Sequence, residues 1–421
     1  MRYFLILILI LLFTTVVYLP SLFNFFAQDD FIFIKQFSQN SLALDLRNTF
    51  GPPVVTHWRP LHNAYFLISG NVFGTNYFGY HLFTLLLHTF TAFFIYIIYK
   101  NLFRQELGAI SASLIYAVHP AHFVALFWIS GAAINIGFFL FVLSLYCFLT
   151  KRLVPAIFLY SLSLLASEAI LVGLFIYLGI LIFRKQFKTH SFFILTLFII
   201  SIIFLVFRFV FLKPPVTSDE YQVMISGESV GALRYYILRT GGFVEGYGRT
   251  FLSLALVLWL VASIFVFFKL LKKRISQFLL LLFIIAVGFF PFVFIPNHLS
   301  AHYMAVAVWG FSMLMGTIIS SFKKPVSISL LISFILFSFF AVRLEMKNSW
   351  VINRSNLAHK LIGDIELRNL PEGTALIFDD NELASSLEQY ISLGSGEAVN
   401  VWFFEKNYKT CFSFFERCSS N

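Results

Sequence analysis

Apolar residues run along this chain in long unbroken blocks, with neither the strict alternation of a half-buried strand nor the one-sided stripe of a surface helix. The blocks fall near 3–23, 81–103, 107–127, 132–150, 153–167, 169–184, 190–212, 250–270, 276–296, 300–320 and 325–343. A helix needs about 20 apolar residues to cross the hydrocarbon core of a bilayer. The pattern predicts an all-α polytopic membrane protein of about 11 transmembrane helices. The stretch 153–184 is interrupted only by Ser167-Glu168 and reads as two short spans. The first block has a long core with no small-residue cleavage site after it, so it reads as a retained span.

The polar residues between the blocks test that count. With Arg2 placed inside and the spans alternating, the inside loops receive Lys100 and Arg104; Lys151 and Arg152; Arg184, Lys185 and Lys188; Lys269, Lys272, Lys273 and Arg274; and Lys323 and Lys324, against the single acid Glu106. This is the positive-inside pattern, and it predicts a cytoplasmic amino terminus and an extracytoplasmic carboxyl terminus. A transmembrane domain over 1–343 then carries two large outside loops, near 24–80 and 213–249, and 344–421 forms a small extracytoplasmic α/β domain. In that tail, 350–367 and 382–390 read as helices, and 375–378 and 398–404 as strands. The moderately apolar stretch 61–73 reads as a helix lying along the interface.

Composition narrows the class further. Of the 421 residues, 59% are hydrophobic and only 12% charged, and Phe occurs 57 times. A soluble domain carries about 25% charged residues, so lipid must cover this surface. The net charge of +10 belongs to the short inside loops and gives no reason to expect a nucleic-acid partner. Cys147 lies in an apolar block and reads as a packing residue. Cys411 and Cys418 are placed either to pair in an oxidising compartment or to remain free thiols.

Candidate chemistry collects on the outside face. Asp29-Asp30 directly follows the first span, and adjacent carboxylates at a membrane edge raise each other's pKa and can poise one as a base. A helix-capping role competes with that reading. His57 and Arg59 precede the stretch 61–73, where a guanidinium could hold a lipid phosphate or serve as an interfacial anchor. His119-Pro120-Ala121-His122 ends the third span; Pro120 bends the chain there, and the histidines are candidates to contact phosphate or acceptor. Glu168 is the sole acid between 107 and 218, and an isolated membrane-edge carboxylate is a functional candidate, with a helix cap as the competing role. Arg249, with Arg208, Arg234 and Arg239, and His302 in the turn 297–303 add cations suited to an anionic lipid. No metal site is read from the sequence and no cofactor is expected; a divalent metal is compatible with the residues but not indicated by them. Asp379-Asp380 reads as a helix cap.

Taken together these motifs resemble the GT-C superfamily of membrane glycosyltransferases, and its protein O-mannosyltransferase-like members in particular, including the membrane part of the transmembrane and tetratricopeptide-repeat O-mannosyltransferases and bacterial relatives. The likeness covers about residues 20–310. It rests on Asp29-Asp30; Arg59-Pro60-Leu61; Phe78-Gly79-Tyr80-His81-Leu82 with Leu87-His88; His119-Pro120-Ala121-His122; Trp128-Ile129-Ser130-Gly131; Leu164-Leu165 with Glu168; and His302-Tyr303. The chain departs from the pattern at Val124, Ala132, Ser167 and His302, where relatives often carry charged residues, and no tetratricopeptide tail is expected in it. The resemblance implies an integral protein of the plasma membrane, bacterial in type. It also implies transfer of a sugar from a polyprenyl-phosphate donor to a protein, lipid or glycan acceptor outside the cytoplasm, with Asp29 as base and Asp30 as its partner.

The residues themselves suit that reaction. Phosphate is already a good leaving group, so the site needs a base for the acceptor hydroxyl and cations for the departing phosphate, and single displacement inverts the anomeric carbon. The rivals are a non-catalytic or flippase-like transport protein and a polymerase or ligase of lipid-linked glycans. Mid-membrane charges would favour transport, and Arg208 is the nearest example.

Overall fold

The computed structural model describes residues 1–37, 40–52, 58–212, 221–244, 251–415 and 418, with only the backbone described at 251–255, 258, 262, 265, 266 and 269–273. By length and composition, seven of the described helices are able to cross a membrane: Arg2–Phe23, Tyr77–Phe103, Ile129–Leu149, Lys188–Phe211, Arg274–Val293, Ala301–Ile319 and Lys324–Asn348. An eighth is the pair Glu106–Val118 and Pro120–Phe127, bent by 42°. The bend falls where Pro120 cannot donate a backbone hydrogen bond. Leu153–Ala166 and Glu168–Phe183 are shorter apolar helices meeting at Ser167. A continuous helical segment, Phe251–Val293, holds two of the expected spans and breaks at Arg274, where φ is −138° and ψ 31°. The expected blocks are thus all helical, but only seven or eight meet the length criterion for a span.

The two ends of the bundle differ in chemistry. At one end Arg2 and Lys100 both pair with Glu106, at 2.8 and 3.0 Å. Beside them Arg184 donates to Asn101 and Arg274 to Gln105. Basic residues that the sequence assigns to separate inside loops therefore meet at one end. Between the ends lies one large apolar core that takes in Tyr96, Tyr116, Phe141, Tyr177 and Trp309. Close helix contact depends on Gly316: a Cβ there would fall 2.5 Å from the Gly108 carbonyl oxygen. A buried ion pair, Arg239 with Glu345 at 2.8 Å, ties helix Gly227–Thr240 to helix Lys324–Asn348.

The opposite end carries the small C-terminal module. Helix Trp350–Arg368 leads to strand Ala375–Phe378, which pairs in parallel with strand Lys409–Phe412. The expected strand 398–404 is instead helix Glu397–Trp402 followed by a 3₁₀ turn. Gly394 and Gly396, both at positive φ, lead into that helix, and its Ala398 and Val399 face a core rather than alternating across a sheet. The expected helix 382–390 begins later, at Ser386, with Ser385 as its cap. Asp380 accepts from the Ser386 amide at 2.6 Å, so it supports that helix start. Cys411 and Cys418 form a disulfide. A second apolar core joins the module to the segment after the first helix: Phe25, Phe26, Phe31 and Ile34 pack with Leu361, Ile362, Leu393, Ala398 and Val399.

Candidate active site

The acid-bearing turn is built by the end of the first helix. Pro20 in the 3₁₀ turn Leu19–Phe23 stops regular helix, and Asn24 then donates to the Phe127 carbonyl at 2.7 Å. His81 bridges the Asn24 and Leu126 carbonyls, each at 3.0 Å. The chain reverses at Gln28, which has φ 56° and ψ −120°, a conformation costly for any residue with a Cβ. Helix Asp29–Gln36 starts at the next residue, with both acids in its first turn, where the helix dipole favours negative charge.

The two carboxylates have different surroundings. Asp30 is 1% exposed. Its Oδ1 accepts from the Ser130 amide at 2.8 Å and the Ser130 hydroxyl at 2.6 Å, and its Oδ2 accepts from the Ala27 amide at 3.0 Å. Burial pushes the Asp30 carboxyl up from 3.8 to about 7, against the downward pull of those donors. Asp29 is partly exposed, and its charge reaches Tyr221.

Tyr221 also lines a cavity of about 80 Å³ with Arg59, Glu168, Ala169, Phe292, Ile295, His298 and Tyr303. Inside it Arg59 grips Glu168 through two parallel bonds, Nε to Oε2 at 2.9 Å and Nη2 to Oε1 at 2.8 Å. Burial opposes the Arg59 charge, yet the pairing with Glu168 outweighs it and holds the guanidinium above its usual value. Tyr221 contacts His298 at 3.3 Å, and Tyr303 stacks on Phe292. Burial raises the Tyr221 phenol, with Arg59 pulling against it and Asp29 and Glu168 adding to it. Trp58 packs on Phe204 and Phe207, which sets Arg59 beside the end of helix Lys188–Phe211. There Arg208 is 5% exposed, its Nε and Nη1 make no hydrogen bond among the described residues, and its charge acts on both Glu168 and Arg59.

The structure therefore brings Asp29, Arg59 and Glu168 to one face, and adds Arg208. His302 is near this face, with Nδ1 2.5 Å from the Ser300 hydroxyl and its ring against Trp128. His119 and His122 do not line the cavity. Both are buried in the bundle, where His119 contacts the Thr240 carbonyl and His122 packs on His88 and Tyr116. His57 and Arg249 lie outside the described residues. The sequence offered a signal for Ser130 in the Trp128–Gly131 motif, and for His298 and Tyr303 in the turn 297–303. Tyr221 carried none, because it stands alone in a loop without periodicity. Among the described residues no group of three or more His, Cys, Asp or Glu is placed to hold a metal ion.

No protein-family profile matches the chain. One curated relative is similar: the Drosophila melanogaster protein O-mannosyl-transferase Tmtc1, 35% identical over 98 residues. That alignment spans 22% of this chain and 11% of the fly protein. Solved structures are similar over nearly the whole chain. ArnT from Cupriavidus metallidurans, in its crystal structure bound to undecaprenyl phosphate, superposes with a TM-score of 0.57 at 10% identity, covering 97% of this chain and 90% of that one. The Archaeoglobus fulgidus oligosaccharyltransferase, in complex with Zn and sulfate, superposes with a TM-score of 0.53 at 14% identity, covering 96% of this chain and 62% of that one. The chain therefore has the fold of the GT-C membrane glycosyltransferases that its sequence motifs resemble.

Proposed function

We propose that this protein transfers a sugar from a polyprenyl-phosphate donor to a hydroxyl acceptor on the extracytoplasmic side of the plasma membrane. Asp29 is the base. It takes the acceptor proton as the hydroxyl oxygen forms a bond to the anomeric carbon, the carbon–phosphate oxygen bond breaks, and the electron pair leaves with the phosphate. Arg59 receives that phosphate through the N–H groups that Glu168 does not occupy, and Arg208 adds a second positive charge. Asp30 does not take the proton; it fixes the turn through Ser130 and Ala27. An apolar groove of about 370 Å³ between Phe251–Val293 and Ala301–Ile319, lined by Leu260, Phe267, Leu282, Phe311 and Met315, suits the prenyl chain.

The observation that carries this reading is a partly exposed Asp29 and a guanidinium cavity on one face of a GT-C fold, joined through Tyr221. The test is sugar transfer in membranes from a panel of radiolabelled polyprenyl-phosphate sugars, comparing wild type with Asp29→Asn and Asp30→Asn. Loss of transfer on Asp29→Asn is the expected result. Full transfer by Asp29→Asn, or none by wild type with any donor, overturns it.

A further inference from the structure

The acid turn is held from two directions. Ser130, on the membrane bundle, holds Asp30. The C-terminal module holds the residue before the acids. Arg354 donates Nη1 to Gln28 Oε1 at 2.7 Å, while its Nε and Nη2 bind Glu388 at 2.7 and 3.3 Å. Glu388 thus fixes the guanidinium plane, and the guanidinium fixes Gln28. The Gln28 amide donates to the Ser392 carbonyl at 3.1 Å. Ser355 donates to the Phe25 carbonyl at 3.0 Å, and the Phe25 ring stacks on His359 at 4.6 Å. Trp402 meets Phe25, Phe26 and Phe31 at 5.3 to 5.7 Å.

Gln28 is where such a hold matters. Its φ of 56° and ψ of −120° are unfavourable for a residue with a side chain, and such a conformation persists only where its surroundings impose it. The imposing contacts come from the module. Gly394 lets the module approach this closely: it sits at φ 57°, and a Cβ there would lie 2.5 Å from the Gln28 carbonyl oxygen. The turn geometry that aims Asp29 is therefore set by residues more than 300 positions away.

We propose that the C-terminal module is a positioning clamp for the acid-bearing turn, with Arg354 as its positioning residue. The proposal rests on Asp29 acting as base, and it gives the module a task. Arg354 touches neither substrate nor the reacting atoms; it acts through Gln28. Loss of the clamp lets the backbone at Gln28 relax from its strained conformation and moves the Asp29 carboxylate. A misplacement of about 1 Å lowers turnover by about a hundred-fold, while donor binding at Arg59 stays as it was.

The test uses the full chain with Arg354→Ala and, as a milder change that keeps the positive charge, Arg354→Lys. Hydrogen exchange is followed at 25–31 and, as a control, in the bundle helix Ala301–Ile319. The clamp predicts faster exchange confined to 25–31 in Arg354→Ala, with kcat for sugar transfer lowered about a hundred-fold and KM for the lipid donor unchanged. Arg354→Lys, which cannot bridge Gln28 and Glu388 with one planar group, falls short of rescue. Gln28→Ala should add nothing to Arg354→Ala. Unchanged exchange at 25–31, a uniform rise that includes 301–319, or additive effects of the two substitutions would overturn the clamp. If wild type transfers no sugar, the proposed function fails, while the exchange comparison still decides the clamp.

Discussion

Asp29 and Asp30 are neighbours in sequence with different surroundings, and the difference shows in burial and in what each carboxylate touches. Both Asp30 oxygens are occupied by donors from Ser130 and Ala27 in a buried setting. Asp29 is partly exposed and looks toward the Tyr221 cavity electrostatically. Asp29→Asn is expected to lower transfer about 10²- to 10⁴-fold, the range for loss of a general base, measured as initial rate at saturating donor. Asp30 instead has a pH signature. Its carboxyl is raised from 3.8 to about 7, so between these values the folded protein holds a proton that the unfolded chain has released. Stability from this group is present below about 4 and is lost as pH rises toward about 7. Melting temperature in detergent should fall across that window in wild type, and the slope should flatten in Asp30→Asn. At Arg59 and Glu168, side chains 17% and 28% exposed make a two-bond pair. A double-mutant cycle with Arg59→Gln and Glu168→Gln is expected to give a coupling of about 1–3 kcal/mol in unfolding free energy; additive losses would show that the pair contributes nothing. The sequence pointed to all four of these residues. It could not show that Glu168 lies on Arg59, because the partners are 109 positions apart.

At the scale of elements, the apolar blocks were the legible part. Every expected span is helical, and the breaks at Pro120, Ser167 and Arg274 fall where polar or helix-breaking residues interrupt the blocks. The strand expected at 398–404 was not legible. Its apolar run is short enough to suit strand or helix, and the contact with helix Asp29–Gln36 decides for helix. Interhelical distance was also hidden, since small residues look alike in sequence whether or not a neighbour presses on them. Gly316 is one that is pressed, with the Gly108 carbonyl oxygen 2.5 Å from where its Cβ would be. Gly316→Ala should cost about 1–3 kcal/mol by forcing Ala301–Ile319 away from Glu106–Val118, read as a lower melting temperature. The partly buried Gly363, around which a Cβ meets nothing within 4 Å, should accept Ala with a gain of about 0.5–1 kcal/mol.

At the scale of the whole molecule, the basic end and the acid end are separated by an apolar core, and the C-terminal module belongs to the acid end. Its parallel strand pair is small, and the Cys411–Cys418 disulfide stabilises the segment that completes it. Cys411→Ser is expected to weaken the module by about 2 kcal/mol on loop-entropy grounds. Hydrogen exchange in 375–378 and 409–412 should rise while the bundle core stays protected. A whole-protein drop in protection would mean instead that module and bundle unfold as one unit.

The contact between Gln28 and Arg354 spans 326 positions of chain. Residues near the amino terminus leave the ribosome early and enter the bilayer well before residues 354–394 exist. During that interval the acid turn has its Ser130 partner but no module against Gln28. Gln28 thus meets Arg354 only after the helices through Asn348 have been made. A nascent chain halted before Arg354 would carry every apolar helix and still lack the guanidinium that binds Gln28.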